Sequence, residues 1–190
     1  MSILDEIVEY VPYNTQEELD KKIIIDFLKN NKDGFYRENL LAHMTASAWV
    51  LNKKHDKLLM AYHNIYDSWS WLGGHCDGDE DCLNVAIKEV KEEAGISDVK
   101  AISEKIFSLE VLAVDSHYKK GKYVPTHLHL NLTYLLEADD KQELTIKDDE
   151  NSNVAWFEIN EAVKQSNEKW FRDNIYSKLN NKLRNFYENN

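Results

Sequence analysis

The segment Gly74 to Ile96, GHCDGDEDCLNVAIKEVKEEAGI, places Glu89, Glu92 and Glu93 within about one turn of an expected helix. Residues three and four apart on a helix are neighbours, so Glu89 faces both Glu92 and Glu93. Like charges at that spacing repel unless a cation lies between them. Oxygen donors so arranged suit a hard dication such as Mg2+, which is often shared with a substrate's phosphates. The helix is expected on separate grounds. At about 100° per residue, Leu83, Ala86, Ile87, Val90 and Ala94 fall on one apolar stripe. Asp79, Glu80 and Asp81 crowd its start, where the macrodipole favours negative charge, and Gly95 reads as a left-handed cap at its end. Upstream, Trp69 to Leu72 reads as a short strand and Gly73-Gly74 as a loop whose backbone can approach a ligand closely. A solvated acidic helix face is the bland alternative, and the spacing, the glycines and the apolar stripe together outweigh it.

These residues resemble the Nudix box, in which Gly, five residues, Glu and seven residues lead into Arg-Glu-apolar-any-Glu-Glu-any-Gly-apolar. Gly74 and Glu80 take the first fixed positions, and Lys88, Glu89, Val90, Glu92, Glu93, Gly95 and Ile96 take the rest. Every fixed position agrees except Lys88, which stands where the family has Arg. Lys offers a point charge in place of a planar fork, yet still reaches Glu92 at i+4. Leu72, where many members have Pro, is a second departure. The resemblance implies an α/β/α sandwich around a mixed β-sheet. It also implies hydrolysis of a phosphoanhydride bond in a nucleoside diphosphate linked to another moiety, with Mg2+ (or Mn2+) as cofactor. Glu89 and Glu93 would be the principal metal ligands, with Glu92 as a further ligand or base and the Gly74 carbonyl nearby. Glu80 would brace the loop, and Lys88 would order the carboxylates. Some members place a general base before the last strand, where Glu150 stands; Glu92 competes with it for that role. A Nudix-fold binding or regulatory module without catalysis is the alternative from another class. An isopentenyl-diphosphate isomerase is a weaker one, since Gly73 replaces the cysteine of its Cys-Gly-His segment.

A formal charge of −11 and a pI near 5.1 argue against a nucleic-acid polymer or an anionic membrane as the main partner. The expected partners are a small nucleotide or other diphosphate and, as a further option, a second copy in a homodimer. The N-terminus shows no basic region followed by an apolar core, and no run has the length of a membrane span. Cys76 and Cys82 read as free thiols, which with those absences gives a cytoplasmic expectation.

Along the chain, residues 2–11 and 15–31 look helical, the second after a Thr15-to-Glu18 start resembling a capping box. Residues 1–40 are thus expected as an N-terminal helical extension and 41–190 as the catalytic domain, C-terminal helices included. Strands are expected at Met44–Asn52, Lys57–His63, Lys105–Asp115, Thr126–Glu137 and Ala155–Phe157, and helices near Glu161–Gln165 and Glu168–Tyr187. His117, His127 and His129 gather around the connection from His117 to Pro125. His127 and His129 share one face of a strand, so a second metal site or a phosphate contact is open, against plain hydrogen-bonded histidines. Lys119, Lys120 and Lys122 could clamp a polyphosphate, though a solvated loop is the commoner outcome. Lys119, Lys120, His127 and His129 are therefore the candidate substrate contacts. Trp69, Trp71, Tyr62 and Tyr66 are read as core aromatics before stacking surfaces.

Overall fold

The structure is a computed structural model that describes residues 1–119, 121–146 and 151–188. Helices α1 (Ile3–Glu9) and α2 (Thr15–Asn30) precede strands β1 (Ala42–Asn52), β2 (Lys57–His63), β3 (Ser68–Ser70) and β4 (Leu72–His75). Helix α3 (Cys82–Ala94) leads to β5 (Val99–Ala101), β6 (Ser108–Val114), β7 (His117–Lys119), β8 (Lys122–Val124) and β9 (His127–Ala138). The chain continues through β10 (Asn151–Glu158), α4 (Ile159–Gln165), α5 (Lys169–Phe171), a π-helical turn at Arg172–Tyr176 and α6 (Ser177–Glu188). It is a mixed α/β fold with a central eight-stranded mixed sheet, ordered β10-β2-β1-β9-β5. In that sheet β3 pairs with β2, β4 with β1 and β6 with β9, while β7 and β8 form a separate ribbon.

Contacts divide the chain into two compact units. The first comprises Met1–Ser47, Gly73–Ala86 and Ser103–Tyr134; the second comprises Ala48–Leu72, Ile87–Ile102 and Leu135–Asn190. In the first, α2 packs on β6, and Ile7, Ile24, Met44, Leu109 and Leu130 are fully buried. Strand β6 runs antiparallel to β9 with Val114 opposite His127 and Ser108 opposite Thr133. The two-residue period of β9 therefore puts His127, His129, Asn131 and Thr133 on one face and Leu128, Leu130, Leu132 and Tyr134 on the other. In the second, β10 lies antiparallel to β2 with Val154 opposite Ala61, and its register shifts between Asn151 and Asn153. There Trp49 stacks on Tyr176 at 5.5 Å, and Trp71 meets the same ring edge-on at 5.6 Å. Trp69 packs edge-on against Tyr62 and Phe157.

Several sequence expectations are corrected. The cap of α2 is Asn14, whose side chain accepts the Glu17 N–H at 2.9 Å, so Thr15 does not open a capping box. Glu17 instead turns inward and is fully buried, accepting the Tyr10 hydroxyl at 2.5 Å, the Tyr13 N–H at 2.8 Å and the Ser108 hydroxyl at 2.8 Å. Burial and the Glu17 carboxylate push the Tyr10 phenol well above its usual range. Removing that acceptor strands buried donors. Glu17→Ala is expected to cost about 2–3 kcal/mol in urea unfolding, and Glu17→Gln less; an unchanged midpoint in both would refute this account of the carboxylate.

Gly73 and Gly74 belong to a strand, because β4 closes on β1, where a side chain at Gly73 would collide with backbone. The connection from His117 to Pro125 carries the β7–β8 hairpin, turned at Gly121 with φ 78°. The expected helix from Glu168 is interrupted by the π turn, where Ser177 Oγ donates to the Arg172 carbonyl at 2.7 Å. Strand β5 is an addition, pairing with β9. The final strand, Asn151–Glu158, begins well before the expected Ala155 and ends one residue after Phe157.

Candidate active site

Helix α3 is set by its two ends. Asp77 and Gly78 take positive φ (49° and 92°), turning the chain ahead of the helix. Asp81 caps it, accepting the Asn84 N–H at 3.0 Å, and is itself held by an N–H donated to Asp79 at 2.9 Å. At the far end Gly95 adopts φ 67°, and the Ala94 carbonyl accepts the Thr145 N–H at 3.0 Å. Cys82, Val85, Ala86, Val90 and Ala94 are buried, whereas Leu83 and Ile87 are only partly so.

The acidic residues of α3 differ in environment although they share one region of the helix. Glu92 is exposed, Glu89 half-buried, and Glu93 only 5% exposed. Next to Ala94 and three residues after Val90, Glu93 is carried inward by the same period that buries the apolar stripe. Asn151, at the start of β10, donates its side-chain amide to Glu93 Oε1 at 3.4 Å, and its Oδ1 is buried without a hydrogen-bond partner. Lys88 approaches Glu92 at 3.7 Å; both are substantially exposed, so this pair adds little stability. Glu80 lies exposed in the turn before α3, and Gly74 is half-buried in β4. Glu150 and Lys120 lie outside the described residues. Lys119 ends β7 opposite Lys122, and its charge is felt at His75.

Cys76 and Cys82 are free, buried thiols with sulfurs 3.7 Å apart. Their mutual hydrogen bond and burial raise the Cys82 thiol far above the ordinary range. His127 and His129 do face one another, Nε2 to Nε2 at 3.1 Å. Their neighbours, however, are His43 and His75, with ring centroids of 4.9–5.1 Å among those pairs. His117 stands in the separate β7–β8 ribbon, where its Nδ1 bonds the Asp115 carbonyl at 2.9 Å. Burial, with Arg37 next in weight, depresses His75 to about 3. Burial, with His75 next, depresses His129 to about 2. His43 is lowered too, chiefly by burial.

The residues that sequence reasoning missed are Asn151, His43 and His75. Asn151 carried no motif at all. His43 stands one residue before the strand expected at Met44, and His75 enters only through the likeness of Gly73-Gly74-His75 to the Cys-Gly-His segment of the isomerase.

The NUDIX domain model matches residues 41–179. A protein of Lactococcus lactis subsp. cremoris named a probable DHNTP pyrophosphohydrolase is 28% identical over 141 residues, covering 74% of this chain and 80% of that one. The crystal structure of a C. elegans Ap4A hydrolase binary complex superposes with a TM-score of 0.55 at 22% identity, covering 77% of this chain and 98% of that one. The E. coli dihydroneopterin triphosphate pyrophosphohydrolase gives a TM-score of 0.52 at 16% identity, covering 73% and 95%. With the family match spanning most of the sequence and Lys88, Glu89, Val90, Glu92 and Glu93 on one capped helix, the chain belongs to the Nudix hydrolase family.

Proposed function

We propose that this protein hydrolyses a phosphoanhydride bond of a nucleoside diphosphate linked to another moiety, with Mg2+ as its ion and Mn2+ as a substitute. The observation that carries this reading is the burial of Glu93 on a helix that also presents Glu89 and Glu92. A carboxylate taken out of water needs a proton, a cation or strong donors. Asn151 is one partner of that carboxylate, at 3.4 Å, and its own Oδ1 is a further buried oxygen without a hydrogen bond. An all-oxygen donor set of this kind fits a hard dication. Glu89, Glu92 and Glu93 would hold it.

When bound, the ion neutralises phosphate charge and lowers the pKa of a coordinated water. The chain's own residues perform the rest. Lys88, paired with Glu92, limits the positions that carboxylate can take. Glu92 accepts the proton of the attacking water; Glu150 is the other candidate, adjoining Asn151 in sequence. Glu80 braces the turn into α3, and Lys119, Lys120, His127 and His129 are proposed contacts for the phosphates. Residues 1–40 form the helical extension of a catalytic domain covering 41–190. We place the protein in the cytoplasm, in keeping with two free, buried thiols and with no helix, among the described residues, long and apolar enough to cross a membrane.

The relatives' names widen the substrate question to pterin triphosphates beside nucleotides. A panel of nucleoside triphosphates, dinucleoside polyphosphates, nucleotide sugars and dihydroneopterin triphosphate should show at least one substrate releasing two phosphorylated products, one of them pyrophosphate or phosphate where the substrate is a triphosphate. That release should require Mg2+ or Mn2+ and stop with EDTA. Ligand binding without turnover across the whole panel would instead favour the non-catalytic module.

A further inference from the structure

Four histidines from three strands meet in the first unit, and the chemistry assigned to α3 uses none of them as a ligand. His43 lies on β1, His75 on β4, and His127 and His129 on β9. One ring nitrogen from each of His43, His75 and His129 lies within 4.8 Å of the others. His43 is 4% exposed, and its Nε2 is buried with no hydrogen-bond partner. Its Nδ1 lies 3.1 Å from the Asn39 carbonyl, an acceptor only, so Nδ1 carries the proton and Nε2 keeps its lone pair. The same logic holds for His127, whose Nδ1 donates to the Pro125 carbonyl at 2.8 Å. A carbonyl behind the ring is the usual device that fixes the tautomer and orientation of a metal-binding histidine. We infer that His43, His75 and His129 form a site for one transition-metal dication, Zn2+ foremost, with His127 as a fourth imidazole at its edge.

The geometry favours an ion over a purely hydrogen-bonded cluster. Neutral imidazole has one donor and one acceptor, and His43 and His127 use their donors on backbone carbonyls, so two ring N–H groups remain for four ring acceptors, and His43 Nε2 is left without a partner. Zinc–imidazole bonds of about 2.0–2.1 Å in a tetrahedron put ligand nitrogens roughly 3.3 Å apart. The His127–His129 separation of 3.1 Å is already near that value, whereas the nitrogens of the wider trio, within 4.8 Å of one another, must draw closer around an ion. Neighbouring strands hold the rings, with β4 and β9 both hydrogen-bonded to β1. Imidazole selects Zn2+, Cu2+, Ni2+ or Co2+ over Mg2+, so this site and the carboxylates of α3 call for different ions. Arg37 and Lys119 oppose a cation here, since both act on His75. The Arg37 charge is offset by Asp77, which accepts its Nε–H at 2.6 Å, and Asp77 also acts on His43. Three imidazoles leave a position for water or a ligand oxygen.

The test uses the full chain, stripped with EDTA and titrated with Zn2+ by calorimetry. The expected result is one ion per chain at micromolar or tighter affinity, undisturbed by millimolar Mg2+. His75→Ala and His129→Ala should each weaken uptake by about 100-fold or more, while circular dichroism confirms that the variants fold. Should either variant unfold, Co2+ added to the wild type gives the same answer: tetrahedral visible bands without a thiolate charge-transfer band. Glu93→Gln and Cys76→Ser should keep Zn2+ uptake. Absence of uptake by the wild type overturns the inference. So does uptake that survives His129→Ala but fails in Cys76→Ser, which would assign the ion to the thiols. Loss of uptake in Glu93→Gln would assign it to α3. Because these readouts are binding measurements, they stand whether or not the phosphoanhydride reading holds.

Discussion

Glu93→Gln is expected to lower kcat by about 10³-fold, within the range given by removing one positioned charge or proton-transfer group, while leaving the fold intact. The substitution keeps the shape of a side chain that is 5% exposed and keeps an oxygen able to accept from Asn151. It removes a buried negative charge that has Glu89 at i−4 and Glu92 beside it on the same helix. Neutralising such a charge relieves repulsion and desolvation, so the thermal midpoint should stay level or rise. A collapse of turnover without loss of stability separates a catalytic role from a structural one. Glu92→Gln should also lose most activity, from an exposed position where stability is indifferent. Activity within about tenfold of wild type in a pure, folded Glu93→Gln preparation would overturn the assignment, since tenfold is only about 1.4 kcal/mol of barrier. A matching drop in midpoint would show that Glu93 serves the core instead.

The helix that carries these residues was legible because everything defining it is contiguous. Its apolar period, the acidic run that supplies Asp81 as cap and the glycine that closes it all lie between Gly74 and Ile96, and the structure places Gly95 at φ 67° as a left-handed cap requires. The strand pairs around it were read from period-two patterns, and β1, β2, β6 and β9 stand close to the expected limits. What the sequence concealed depends on partners far along the chain. Glu17 follows a capping pattern, yet Ser108, 91 residues away, draws its carboxylate into the interior. The histidine group needs β1, β4 and β9 side by side before His43 and His75 can meet His129, and local spacing suggested His117 in their place. Hairpin β7–β8 lacks an alternating apolar pattern; its strands are three residues each with no buried member, so nothing but the glycine at its turn marks it.

Gly73→Ala is expected to destabilise the protein by more than about 3 kcal/mol, beyond the usual range for an overpacked methyl, and to leave little folded protein at 37 °C. A β-carbon built at Gly73 would lie 2.5 Å from the Ala46 carbonyl oxygen, 2.7 Å from Ser47 Cα and 2.7 Å from Ser47 Oγ. Two of those atoms are backbone of the strand that β4 pairs with, so no rotamer change clears them. Relief requires β4 to move away from β1, where Ala46 is fully buried and Ser47 is 4% exposed. Ser47 also donates to Asn131 Oδ1 at 2.8 Å, and Asn131 in turn donates to the buried Glu110 at 3.1 Å. A shift of β1 would therefore disturb a polar network whose members have no water to fall back on. Gly73 is thus fixed by packing rather than by backbone freedom, since its φ is not in the positive region. Urea unfolding gives the check, with Gly121→Ala as the comparison: that turn glycine has φ 78° but nothing within 4 Å of its β-carbon position. The turn variant should lose only about 1 kcal/mol, the usual cost of forcing a side chain into the left-handed region. If Gly73→Ala unfolds at the same urea concentration as wild type, the close approach of β4 to β1 is not what holds this glycine in place.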